Sequence, residues 1–317
     1  MLTNAVTSIS TLLILIATGA CLQGRDWFKN GGGALFSKFT VKIAIPVNMV
    51  LTVYNSFQDK GELWQILSAV PIPFCSTLLI FFAAFLVSRL FHVRNTRRGA
   101  FLASSSIGNS IFIGLPVIQA LFGPEATPVG MVCYMANTLI FWTLGLHFLY
   151  RDNPENQSSI SWRNLKKLFA PPFVGFLLGV LVVAAGIQFP PWLLAPIKSL
   201  SQTATPLAML YIGSMVRSSS LGRSFLSRDV LLVMGMRLIL APLLTLLLCM
   251  PLPIPSETKQ IFFIFSAMPS MTQIAIMAGE SGSNSVFASM AVSATTLLGL
   301  VSIPLYVLFL QTVPLFW

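Results

Sequence analysis

Ten apolar stretches, each near the length that crosses a bilayer, follow one another along this chain with only short polar loops between them. A transmembrane helix needs roughly 20 apolar residues. Such stretches run over about 3–22, 34–57, 63–91, 99–122, 127–149, 168–189, 192–216, 230–250, 260–278 and 286–310. Ten of them exhaust a chain of 317 residues, so no room remains for a soluble catalytic domain. Only 9% of the residues are charged, against roughly a quarter in soluble domains. The expectation is an all-α polytopic membrane protein with the first stretch retained as a helix, because it lacks the positive start of a signal peptide.

The net charge of +10 does not point to nucleic acid, because no compact basic domain carries it. The basic residues sit in alternate loops. Arg25, Lys29, Arg89, Arg94, Arg97, Arg98, Arg151, Arg163, Lys166, Lys167, Arg217, Arg223 and Arg228 belong to loops one, three, five and seven; the intervening loops offer Lys60, Lys198 and Lys259. The positive-inside rule then puts the odd loops in the cytoplasm and both termini outside the cytoplasmic membrane. Cys21, Cys75, Cys133 and Cys249 have no paired spacing for a metal or a disulfide framework and read as small buried hydrophobes. No cofactor or metal is expected, nor an enzyme: HExxH, P-loop and Gly-x-Ser-x-Gly signatures are all missing.

The two halves of the chain match. Ala44-Ile45-Pro46-Val47 in the second stretch corresponds to Ala204-Thr205-Pro206-Leu207 in the seventh; Leu115-Pro116 in the fourth corresponds to Met268-Pro269 in the ninth. Five spans is an odd number, so residues 168–317 must lie inverted relative to residues 1–150, with 151–167 a cytoplasmic linker. Inverted repeats with interrupted helices in matching positions mark the binding site of many carriers. Helices four and nine are therefore expected to break at Leu115-Pro116 and Met268-Pro269 and to cross near the midplane. Proline removes an N–H and clashes with the carbonyl four residues back.

Ser106, Asn109, Ser110 and Ile113 share one helical face by spacing, and Ser270, Thr272 and Gln273 follow Pro269. Half-helix N-termini are electropositive and favour an anion. Candidate substrate-binding residues are Ser106, Asn109, Ser110, Pro116, Asn137, Arg237, Pro269, Ser270, Thr272 and Gln273. Arg237 stands in mid-span, where an unpartnered guanidinium costs at least a few kcal/mol; it pairs either with an anionic substrate or with backbone carbonyls of the bundle. No Asp or Glu lies clearly inside a span, so a carboxylate relay for protons is missing.

Gly108-Asn109-Ser110-Ile111-Phe112-Ile113-Gly114-Leu115-Pro116, followed by Leu121-Phe122-Gly123, resembles the fourth span of the auxin efflux carrier family. Thr205-Pro206-Leu207-Ala208 with Ile212-Gly213 resembles its seventh, Ala267-Met268-Pro269 with Ala278 and Glu280 its ninth, and Ser293-Ala294-Thr295-Thr296-Leu297-Leu298 with Ile303-Pro304-Leu305 its tenth. The likeness covers the whole chain. It implies ten helices in two inverted five-helix repeats with crossing broken helices four and nine, a scaffold and a transport domain, and elevator-like export of small organic anions such as auxin-like acids or dicarboxylates. The long cytoplasmic loop of many plant members is missing, so the chain looks like a compact prokaryotic form. The partners expected are the anion and the bilayer, with a homodimer compatible. A sodium-coupled symporter of the bile-acid type and a non-transporting membrane receptor are the competing readings.

Overall fold

Where helices stop in this protein is set as much by what their ends bond to as by proline. The computed structural model describes residues 2–25, 27–28, 32–56, 70–153, 171–218 and 227–312. Residues 154–167 of the expected linker, the beginning of the third expected span and the C-terminal Trp317 lie outside the described residues. The described residues are helical throughout, apart from short turns and one isolated antiparallel pairing. Four of their helices are long and apolar enough to cross a membrane: Pro71–Leu90, Pro124–Arg151, Arg228–Cys249 and Ser285–Leu310. Ile14, Phe82, Leu181, Ile239 and Leu305 are exposed on helix surfaces. Water would penalise such residues and lipid tails would not. The chain is a multi-pass membrane protein.

The described structure divides into two compact units. One comprises Met1–Ala69, Ile111–Val132 and Phe169–Ser218; the other Val70–Ser110, Cys133–Leu168 and Ser219–Trp317. Each unit draws segments from both halves of the chain, so compact units and expected repeats are different divisions of it. In the first unit, helix Leu2–Gly24 packs along helix Ala204–Ser218. A Cβ on Gly19 would stand 2.1 Å from the Leu210 carbonyl oxygen, and one on Gly213 would stand 2.0 Å from that of Ile16. Glycine on both helices lets the backbones touch, which is how helices associate where lipid offers no hydrophobic drive. In the same unit, Asn48 donates to Ser201 Oγ at 3.0 Å and accepts from Gln119 Nε2 at 3.1 Å, so this in-span amide is paired within the protein.

The second unit is organised around helix Arg98–Ser106, in which every residue from Gly99 to Ser106 is buried. Its sequence, Arg-Gly-Ala-Phe-Leu-Ala-Ser-Ser-Ser, is mostly small. Small side chains allow the surrounding helices to close on it, and Phe81, Phe141, Met277 and Phe287 supply the bulk of the core. The first N–H groups of a helix have no intrahelical acceptor. Here Asp152 takes them, with Oδ1 accepting from Gly99 at 2.7 Å and Oδ2 from Ala100 at 3.1 Å. Ser283 donates to the same Oδ2 at 2.5 Å. Burial pushes the Asp152 carboxyl above its ordinary range, against the opposing pull of these hydrogen bonds and of Arg98. Nearby, Arg97 pairs with Asp229 at 2.5 Å and Arg228 donates to the Phe91 carbonyl at 2.9 Å.

Candidate functional site

The buried helix ends at Ser106, and the next three residues run extended across a second interrupted helix. Gly108 pairs antiparallel with Ser270. The Asn109 N–H donates to the Pro269 carbonyl at 2.7 Å, and the Met271 N–H donates to the Ile107 carbonyl at 3.0 Å. These two bonds replace helical ones. They satisfy backbone groups that could not be left bare at membrane depth. The second helix stops at Ser266 and resumes at Gln273, so its interruption contains Pro269, as the sequence implies.

The interruption in the fourth span is at Ile107–Asn109 and not at Leu115-Pro116. Pro116 opens the α-helical part, Leu115–Phe122, of a continuous helical run that starts at Ser110, and the widened turn before it takes up the missing N–H. A wider π turn, Ser110–Gly114, leads into that helix. Consequently Ser106 and Asn109 do not share a helical face; the chain changes direction between them.

Gly108 gives the physical reason for the position of the break. A Cβ there would stand 2.2 Å from Arg237 Nη2, so the guanidinium lies against bare backbone. Arg237 is the largest fully buried side chain among the described residues, 1% exposed, within a π turn, Met236–Leu240. Its Nε donates to the Met268 carbonyl at 2.6 Å and its Nη1 to the Ser106 carbonyl at 2.9 Å. Ser106 ends one half-helix, and Met268 lies two residues beyond the end of the other. The Ser106 carbonyl is one of those a helix leaves unpaired at its C-terminus, and the Met268 carbonyl lies just past the other C-terminus, where the dipole is negative. One cation therefore serves two helix ends.

The opposite ends of the crossing carry neutral amides and hydroxyls. Asn109 Nδ2 donates to Thr272 Oγ1 at 3.1 Å, immediately before helix Gln273–Glu280. Ser110 Oγ accepts from Asn137 Nδ2 at 2.8 Å, and Asn137 Oδ1 accepts from Thr77 at 3.4 Å. Ser270 is fully enclosed: its N–H donates to Thr295 Oγ1 at 3.1 Å and its hydroxyl to the Ser104 carbonyl at 2.6 Å. Pro269 packs against the bare backbone of Gly299. Thr272 and Gln273 are half-buried.

Ser106, Asn137 and Arg237 line a common cavity with Ser76, Thr77, Thr245 and Ser266. Its volume of about 20 Å³ suits a single water, which needs on the order of 10–15 Å³. An organic anion does not fit it in this conformation. Of the ten residues singled out by sequence, nine lie in the second unit. Pro116 belongs to the first and is buried in its helix. Sequence reasoning missed Thr77, Thr245 and Thr295. Their only signal is a hydroxyl inside an apolar run, and most such hydroxyls bond back to their own helix, as Thr296 does to Val292.

Comparison with known proteins places the chain among membrane transporters. The pattern of a family described as membrane transport protein matches residues 4–307. A protein described as an uncharacterized transporter from Methanothermobacter thermautotrophicus is 25% identical over 300 residues, covering 94% of this chain and 96% of the relative. Another uncharacterized transporter, from Methanocaldococcus jannaschii, is 22% identical over 263 residues, covering 82% and 83%.

Proposed function

The chain belongs to the membrane transport protein family, that of the auxin efflux carriers, and on that premise we propose that it carries small organic anions, carboxylates or auxin-like acids, across the cytoplasmic membrane. The observation that carries the substrate class is the crossing at Gly108 and Ser270. Its two negative helix ends are occupied by Arg237. Its two resuming chain segments present the uncharged side chains of Asn109, Ser110, Thr272 and Gln273; the Asn109, Ser110 and Met271 N–H groups are bonded to the Pro269, Gly108 and Ile107 carbonyls, which leaves the electropositive start of helix Gln273–Glu280. A carboxylate is the ligand such a set solvates. Asn137 holds Ser110 in place, Arg237 adds long-range positive potential, and Ser106, Pro269 and Ser270 hold the backbone that presents the donors.

Ten spans in two inverted repeats, with both termini outside, remain the proposed topology. Support comes from contacts inside the second unit. Asp152 of loop five meets Gly99 and Ala100 after loop three and Ser283 of loop nine; Arg97 of loop three meets Asp229 at loop seven. Loops that share an end must be separated by even numbers of spans, as in the ten-span arrangement. The mixing of both chain halves in each unit supports a scaffold and a transport domain, and hence elevator-type alternating access. Purified protein screened for thermal stabilisation by monocarboxylates, dicarboxylates and indole acids tests the substrate class, because a bound ligand stabilises by mass action. Stabilisation by at least one such class, followed by flux of that anion in proteoliposomes, is expected. Stabilisation only by cationic or neutral solutes would overturn the reading.

A further inference from the structure

Arg237 has no carboxylate partner among the described residues. What surrounds it is oxygen: the Ser106 and Met268 carbonyls, and the hydroxyls lining the adjoining cavity. Those hydroxyl protons are already committed. Thr77 donates to Pro73, Ser106 to Leu102 and Ser266 to Phe263, while Ser76 and Thr245 bond each other at 2.6 Å and Thr245 also reaches the Ala241 carbonyl at 3.0 Å. Lone pairs are therefore what the hydroxyls leave towards the cavity. Two helix C-termini and a set of hydroxyl lone pairs form the environment in which a hard monovalent cation binds. The guanidinium fills it, and Gly108 is shaped to admit it.

We propose that Arg237 is a tethered counter-cation, a positioning residue that permanently supplies the charge a coupling cation would otherwise bring to the crossing. The crossing then keeps its geometry in the empty and in the loaded carrier, and transport proceeds without sodium. The inference rests on the chain being a carrier, but not on which anion it carries.

Two measurements test it. In proteoliposomes, flux of the anion found by the stability screen is compared in sodium, potassium and choline media of equal ionic strength. Equal flux in the three is expected, and loss of flux on withdrawing sodium overturns the proposal. Independently of any substrate, Arg237→Ala is purified and its melting temperature followed against guanidinium chloride at millimolar concentration, with the parent protein beside it. The variant opens the oxygen cage, so guanidinium raises its melting temperature while leaving the parent unchanged. A variant that guanidinium does not stabilise overturns the proposal. Should Arg237→Ala fail to accumulate, Arg237→Lys keeps the charge and takes its place: retention of sodium-independent flux is expected, and acquired sodium dependence counts against a charge-based role. If no anion is carried at all, the stability measurement still decides the cation site, so failure of the carrier reading and failure of this one are distinguishable.

Discussion

The two sides of the crossing do opposite things with the same problem. On one side, two helices end and leave carbonyls; Arg237, from a third helix, closes both. On the other, the two resuming segments bond each other's backbone through the Asn109 and Met271 N–H groups, and Asn109 and Thr272 are bonded side chain to side chain, with Ser110 and Asn137 beside them. A buried charge fixed by two hydrogen bonds is expensive to move. A neutral amide–hydroxyl pair exchanges partners at little cost, because a ligand oxygen replaces one acceptor with another. The difference separates a structural side from a binding side within a few residues of chain.

The largest expected effect breaks the structural side. Arg237→Ala leaves two buried carbonyls orphaned and a cavity behind, and should cost about 1–3 kcal/mol of stability for each carbonyl, the range for an unpaired buried acceptor; denaturant unfolding in detergent measures it. Gly108→Ala comes next. Its Cβ would overlap the guanidinium, and overpacking of this kind costs about 1–3 kcal/mol. A melting temperature equal to that of the parent would mean that the guanidinium does not lie against Gly108.

Asn109→Ala sharpens the other half of the comparison. It should weaken substrate binding by about 1–3 kcal/mol, the cost of a ligand group left unpaired, while stability changes less than in Arg237→Ala. Binding isotherms matching the parent would move the site away from the resuming segments. Ser270→Ala is the internal control: its hydroxyl bonds the Ser104 carbonyl, so part of its effect should appear as lost stability as well as weaker binding.

The smallest effect lies away from the crossing. Asp152→Ala removes the acceptor of two helix N–H groups and should cost about 0.5–2 kcal/mol, as for other N-terminal caps. Asp152→Asn keeps one acceptor and, because burial already disfavours the ionised carboxyl, should cost less. Neither should alter anion affinity, which equilibrium binding would check.

What the sequence determined by itself was local. Apolar length and the scarcity of charge identified a polytopic helical membrane protein, because a bilayer imposes one rule on every span. The run Ala267-Met268-Pro269 located one helix interruption, because proline acts on its own backbone. The run Leu115-Pro116 misled for the same reason: proline after a widened turn is as comfortable as proline at a break, and only the neighbours decide which it is. The break at Gly108 depends on an arginine well over a hundred positions away, and Arg237 finds Ser106 across 131 residues. Asn109 finds Thr272 across 163. Hydropathy and helix punctuation are properties of a window, whereas the pairing of buried donors with buried acceptors is a property of the closed fold. Sequence could state that a guanidinium in mid-span must have a partner; only tertiary structure chose the backbone carbonyls.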